Sequence, residues 1–386
     1  MSKMAWLRWI LTSGLLLFSI VVQADDGITW EARGNFDAFF SYYDLNSRTR
    51  SDPNNEFNIP ETIQTDQLDF TVSGEESGFK VLLEGYGRYD SNGQSRSLMP
   101  YQLYVADSFD NGRWYFRVGK FLPNWGVGQL WNPVRGITSE GQKDLVFPND
   151  NIDGLRLAEV QYVLSLQTSM SLYALPPQNG NPSGVALRLS SSIDDFDYAL
   201  SAYRNNRDGN KAGLEWSYVV GPATLLGEFA YSNQSNAIVV MPDGSWQERG
   251  FGTTKSYVLG GNTMLPGDYL LLLEYYHDDD AYNKSEYNAF ANQLPSDIDL
   301  LNPLGNGKDT VYAGITKHLL QSSSSISFGA FHNYQSAVSL YQIRFETQIL
   351  KQVGLLVMYG RYDQQSHLPT VNIYRTTLDV RLRWNF

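Results

Sequence analysis

Eighteen short stretches of this chain alternate apolar and polar residues with a period of two, and no other feature constrains the fold as tightly. Side chains on a β-strand point to opposite faces in turn, so each stretch presents one apolar and one polar face. The stretches fall near 28–42, 64–73, 77–90, 97–107, 112–121, 153–163, 166–175, 183–191, 196–204, 210–219, 222–232, 253–263, 268–277, 309–319, 324–333, 338–348, 351–362 and 373–386. In the first, Trp30, Ala32, Gly34, Phe36, Ala38, Phe40 and Tyr42 share one face, while Glu31, Arg33, Asn35 and Asp37 share the other. Leu68, Phe70 and Val72, then Val185, Leu187 and Leu189, then Leu214, Trp216 and Tyr218, then Tyr341, Ile343 and Phe345 repeat the apolar half.

The connections alternate as well. Every even one is short, among them "GEES", "SFDNG", "SIDDF", "VVGPA", "LPGD" and "LKQ", whereas the odd ones are mostly long. "YQSA", 334–337, is the exception, short where a long loop is allowed. An even strand count, short turns at one end, longer loops at the other and both chain ends on the short-turn side describe a bacterial single-chain membrane barrel. A soluble β-sandwich shares the alternation. It would not set Arg, Lys and Glu opposite the apolar face in nearly every strand while keeping the loops so asymmetric. The expected fold is therefore all-β, a single antiparallel transmembrane β-barrel of about eighteen strands, sixteen being the alternative. The 25 Tyr, 19 Phe and 9 Trp fit interfacial belts on such a barrel.

The two ends agree with this expectation. Met1 to Arg8 is short and cationic, "WILTSGLLLFSIVV" is apolar, and Ala24 precedes "DDG". That order predicts a secretory signal peptide over 1–24, and a barrel over 25–386 with a loop insert at 122–152. At the other end, Leu378, Val380, Leu382, Trp384 and Phe386 face one way and Asp379, Arg381, Arg383 and Asn385 the other. A last strand ending on an aromatic resembles the C-terminal signature of Gram-negative outer-membrane barrels, which makes Phe386 the expected signal for the barrel assembly machinery. The resemblance implies the outer membrane as location, with its lipids and lipopolysaccharide as surroundings. The apolar girdle would equally serve as a subunit interface in an oligomer.

Cysteine is absent, which excludes a disulfide framework and a lipidated N-terminal Cys. The formal net charge of −12 argues against a nucleic-acid partner. The polar faces nevertheless place Arg33, Lys80, Glu84, Arg88, Arg117, Arg156, Arg188, Arg344, Arg381 and Arg383 toward the expected lumen, and an arginine-bearing lumen favours anionic or polar solutes. Braces between these arginines and lumen carboxylates are the competing explanation.

One stretch interrupts the pattern. "GKFLPNWGVGQLWNPVRG" follows the fifth strand and begins the 122–152 insert. Gly126 and Gly128 permit tight or left-handed backbone, while Pro123 and Pro133 fix φ and remove donors. Trp125 and Trp131 carry large apolar surfaces that need cover. A rigid aromatic loop of this kind is expected to fold inward, narrow the pore and align Asn132, Arg135 and Lys143 along it; an ordered outer lid is the alternative.

The run "WGVGQLWNP" also resembles a W-G-x-G-x-x-W-N-P motif of poorly characterised proteobacterial outer-membrane porin-like barrels. There it likewise follows "VGK" or "VGR" and precedes a "DG[LIV]R" strand, matched here by Asp153, Gly154, Leu155 and Arg156. The resemblance covers about Arg117 to Arg156. It implies passage of small or amphipathic molecules and, for some members, partnership with lipid-exporting membrane pumps.

Enzymatic chemistry finds little support. "YDSNGQSRSL" resembles the nucleophile region of outer-membrane phospholipase A, but Tyr89 stands where that family has its histidine, so Ser91 lacks a general base. His277, His318, His332 and His367 are scattered without metal-ligand spacing. Asp278, Asp279 and Asp280 form a solvated acidic loop or a Ca²⁺ or Mg²⁺ site. Gly126-Val127-Gly128 lacks the third glycine of a dinucleotide fingerprint. No enzyme activity, cofactor or resident metal is expected. The expected function is an outer-membrane channel for small polar or anionic solutes, with a plugged or gated barrel for hydrophobic or lipid-like molecules as the alternative.

Overall fold

The computed structural model describes residues 20–23, 28–45, 62–90, 95–123, 125–134, 154–177, 183–205, 209–235, 238–240, 246–248, 252–287, 307–319, 323–364 and 374–386. Each of the eighteen alternating stretches forms a strand. They are β1 (Thr29–Leu45), β2 (Thr62–Glu76), β3 (Phe79–Asp90), β4 (Ser95–Phe109), β5 (Trp114–Phe121) and β6 (Leu155–Val163). Next come β7 (Thr168–Leu175), β8 (Gly184–Ile193), β9 (Phe196–Asn205), β10 (Gly209–Val220), β11 (Ala223–Ser232) and β12 (Thr254–Leu265). The last six are β13 (Tyr269–Asp278), β14 (Asp309–Leu319), β15 (Ser324–Asn333), β16 (Val338–Leu350), β17 (Val353–Gln364) and β18 (Tyr374–Asn385).

Neighbours in sequence pair antiparallel throughout, and β1 also pairs with β18, from Asn35↔Asn385 to Tyr42↔Leu378, which closes the barrel. Closure removes the unpaired edges that an open sheet would expose. A short strand, Ile20–Gln23, continues the pairing of β1 below β18, within the segment expected to be the signal peptide. A separate hairpin, Ile238–Val240 with Trp246–Glu248, lies in the connection after β11.

The two ends of the barrel differ as the connection lengths predict. Left-handed φ values at Asp110 (56°), Asn111 (52°), Asp194 (52°) and Asp268 (60°) all lie in short connections, where Asp and Asn tolerate this conformation best after glycine. The outward face is apolar: Leu200, Leu214, Phe229, Leu259, Leu273, Phe328, Ile343 and Leu382 are all exposed. At the short-turn end this band finishes in aromatic pairs, Phe109 stacked on Phe116 at 4.6 Å and Trp114 against Tyr162 at 4.5 Å. At the other end Tyr257 packs against Tyr275 at 6.0 Å. Two aromatic belts flanking an apolar band are the surface of a membrane-spanning barrel.

Candidate functional site

Glu215 on β10, Glu228 on β11 and Glu274 on β13 alternate with the exposed Leu214, Phe229 and Leu273, so their carboxylates point into the barrel. They are nonetheless almost fully buried, at 2%, 2% and 1% exposure. A buried carboxylate is costly unless hydrogen bonds replace its water. What covers these three is the start of the 122–152 insert.

Six main-chain N–H groups of the insert donate to the three carboxylates. Gly126 donates to Glu215 at 2.5 Å. Val127, Gly128 and Val134 donate to Glu228 at 2.6, 2.6 and 3.2 Å. Gln129 and Leu130 donate to Glu274 at 2.5 and 3.0 Å. Arg188 on β8 adds an ion pair to Glu215. Five consecutive N–H groups, from Gly126 to Leu130, thus form an anion cradle whose anions belong to the wall of the same protein.

The glycines are needed at this point. Gly126 has φ +88°, and a Cβ there would come within 2.8 Å of Glu228 Oε1. A Cβ on Gly128 would sit 1.9 Å from the Trp131 carbonyl oxygen. The tryptophans anchor the run on either side. Trp125 is buried against Tyr173 of β7, centroids 5.3 Å apart and edge-on, in a cluster with Phe121, Leu157, Ala186 and Tyr203. Trp131 is 1% exposed, stacks on Tyr276 of β13 at 5.4 Å and packs with Leu226, Val258, Phe331 and Leu340. Asn132 is buried at the fold-back, with Oδ1 unpaired among the described residues, and Pro133 follows half-buried. Arg135 and Lys143, expected along the same path, lie outside the described residues, as do Ser91 and Asp153.

Nine of the ten residues assigned to the lumen from the sequence lie on inward faces. Several are neutralised there. Arg117 pairs with Glu159 at 2.7 Å and lies 3.8 Å over the Phe121 ring. Arg381 and Arg383 converge on Asp37, with Arg383 bidentate at 2.8 and 2.9 Å. Arg344 pairs with Glu346 at 2.8 Å. Glu84 accepts from Gln102 at 2.6 Å. Arg33, Lys80 and Arg88 share the inward faces of β1 and β3. Arg156 is the correction: it faces out with Ala158 and Val160, beside Lys120 of β5, because Leu157 and Glu159 take the inward positions of β6. A single-residue slip turns a side chain to the other face, and the inward row of β6 runs through Leu157 and Glu159, not Arg156.

The acidic loop after β13 is engaged by side chains of the protein. His277 bridges Asp309 at 2.7 Å and Asp279 at 3.3 Å, and Lys308 reaches Asp279 at 3.4 Å. Burial opposes ionisation of Asp279, but the His277 hydrogen bond and the Lys308 charge hold its carboxyl below the usual carboxylate range. Phe386 extends the closing pair: its N–H donates to Gly34 O at 3.0 Å, and Gly34 N–H returns a bond at 3.1 Å.

No family model and no curated protein sequence matches the chain. Among solved structures it is similar to a variant of the Rh. blastica porin carrying five substitutions, with a TM-score of 0.50 and 10% identity, over 92% of this chain and 100% of that one. The chain has a porin-type barrel fold. A triple variant of the Rhodopseudomonas blastica porin aligns over the same shares at a TM-score of 0.48 and 10% identity. At this identity the likeness concerns the barrel alone.

Proposed function

We propose that this chain is an outer-membrane channel through which small polar or anionic solutes diffuse, its lumen narrowed by the 122–152 insert. The observation that carries the reading is the attachment of Gly126 to Val134 to three inward carboxylates in a closed eighteen-strand barrel. A barrel of this size encloses water rather than a packed core, so a segment fixed to the inner wall takes cross-section from that water. On this reading residues 1–24 are removed on export, Phe386 is read by the barrel assembly machinery, and the apolar girdle contacts lipid and lipopolysaccharide. The likeness of "WGVGQLWNP" to the W-G-x-G-x-x-W-N-P loop of porin-like barrels supports this reading.

The alternative, a barrel for hydrophobic or lipid-like cargo, needs Trp125, Trp131 and Phe147 at the entry. Phe147 lies outside the described residues, and both tryptophans are committed to packing against the wall, which favours the channel for polar solutes. Anion preference then depends on Arg33 and Lys80, since Arg117, Arg188, Arg344, Arg381 and Arg383 face carboxylates. The test is single-channel current of the refolded protein in planar bilayers across a salt gradient. Steady ohmic conductance with a reversal potential of anion sign is expected; a folded barrel that carries no current contradicts the reading.

A further inference from the structure

The wall at the closing seam, around β1, β2 and β18, holds a recess of about 550 Å³. That volume lies in the range of small-molecule sites, roughly 300–1,000 Å³. Glu31, Arg33, Asp69, Tyr101, Arg383 and Asn385 line it. Their charges divide into two kinds. Asp69 already accepts from Gln67 at 2.9 Å, and Arg383 spends Nε and Nη2 on Asp37. Glu31 and Arg33, by contrast, have no ion pair among the described residues, and both are exposed to the cavity. They stand two residues apart on β1, hence on one face of one strand.

A free carboxylate and a free guanidinium this close would ordinarily pair, or would each attract one end of a solute. With Nη1 of Arg383 also unclaimed among the described residues, the recess offers a forked donor set beside a carboxylate acceptor. We propose that this recess binds a small zwitterion of the amino-acid type, its carboxylate taken by Arg33 with help from Arg383 and its ammonium by Glu31. A simple anion would gain only the first contact and would be repelled by Glu31 and Asp69. A simple cation would gain only the second. Charge-assisted hydrogen bonds at both ends are the stronger class, and a planar guanidinium matches a carboxylate bidentately.

The inference rests on the channel reading for its solute but not for its site, so binding and conduction are measured separately. The full refolded chain in detergent micelles is titrated calorimetrically with L-leucine, with 4-methylpentanoate, which lacks the amine, and with isopentylamine, which lacks the carboxylate. L-leucine is expected to bind at least about tenfold more tightly than either half-molecule. Glu31→Gln is expected to weaken L-leucine by roughly tenfold and to leave 4-methylpentanoate unweakened, while Arg33→Gln weakens both. Both side chains face the cavity, so the variants keep the fold, which circular dichroism checks. Equal binding of L-leucine and 4-methylpentanoate, or no effect of Glu31→Gln on L-leucine, overturns the proposal. Selective binding in micelles by a protein that stays silent in bilayers upholds the site and contradicts only the channel.

Discussion

Two parts of the inner wall bury carboxylates, and they meet the cost differently. Along β10, β11 and β13, Glu215, Glu228 and Glu274 are satisfied mainly by main-chain N–H groups of a segment that does not belong to the barrel. At the closing seam, Asp37 is fully buried and is satisfied by Arg381 and Arg383 of the neighbouring strand, in register opposite Phe39 and Asp37 itself. The seam pair is built into strand registry and forms whenever the barrel closes. The cradle exists only if the insert docks. The comparison teaches that the wall under the insert is incomplete without it, because removing the insert leaves three carboxylates prepared for donors that are no longer there.

The largest expected consequence separates the two regions by pore size. Deleting Val127 to Val146 removes the cradle donors from Val127 onward and Trp131, and should raise single-channel conductance severalfold. Asp37→Asn, at the seam, should leave conductance near its original value. A correctly folded deletion with unchanged conductance would place the insert outside the conducting path.

Trp131→Ala comes next. Emptying a site filled by a buried tryptophan costs about 3–5 kcal/mol, and here the loss falls on insert docking rather than on the closed sheet. Limited proteolysis should cut the insert of this variant readily while the barrel strands stay protected; an insert as resistant as the wild type would show that the ring does not hold it. Glu228→Gln should act in the same direction and less strongly. It keeps one acceptor oxygen of the two that serve Val127, Gly128 and Val134 but loses the charge, a change worth about 1–3 kcal/mol. Equal protease resistance in wild type and Glu228→Gln would remove the carboxylate from the account of docking.

These contrasts also mark what the sequence discloses. Alternation in stretches such as Trp30 to Tyr42 is a property of strands themselves, so all eighteen strands were legible, as was the inward direction of Arg33, Arg117 and Arg381. Arg156 was not, because register at the mouth of β6 depends on how Gly154 enters the strand, with its N–H on Tyr101 O at 2.9 Å, and no local pattern encodes that contact. Trp125, Gly126, Gly128 and Trp131 stood out for their expense, yet their partners did not. Glu215, Glu228 and Glu274 are 89 or more residues away from the insert residues they bind, and in the sequence they are ordinary polar positions of alternating strands. The hint that was present is the run of unpaired N–H groups in "WGVGQL", a segment with neither helix nor strand pattern to satisfy them. Glu31 and Arg33 were visible as inward charges; what the sequence could not supply is that their neighbours are already paired while they have no ion pair among the described residues.

The central claim, that the insert lies against the lumen wall and borders the conducting path, is tested most directly at Gln129. Its main chain is fixed to Glu274 while the residue itself remains exposed. The chain contains no cysteine, so Gln129→Cys provides a single reactive thiol in an otherwise inert channel. A negatively charged methanethiosulfonate reagent added to one open Gln129→Cys channel should produce a stepwise, irreversible fall in current that a reducing agent restores. Complete labelling of that cysteine with no change in current would contradict the claim.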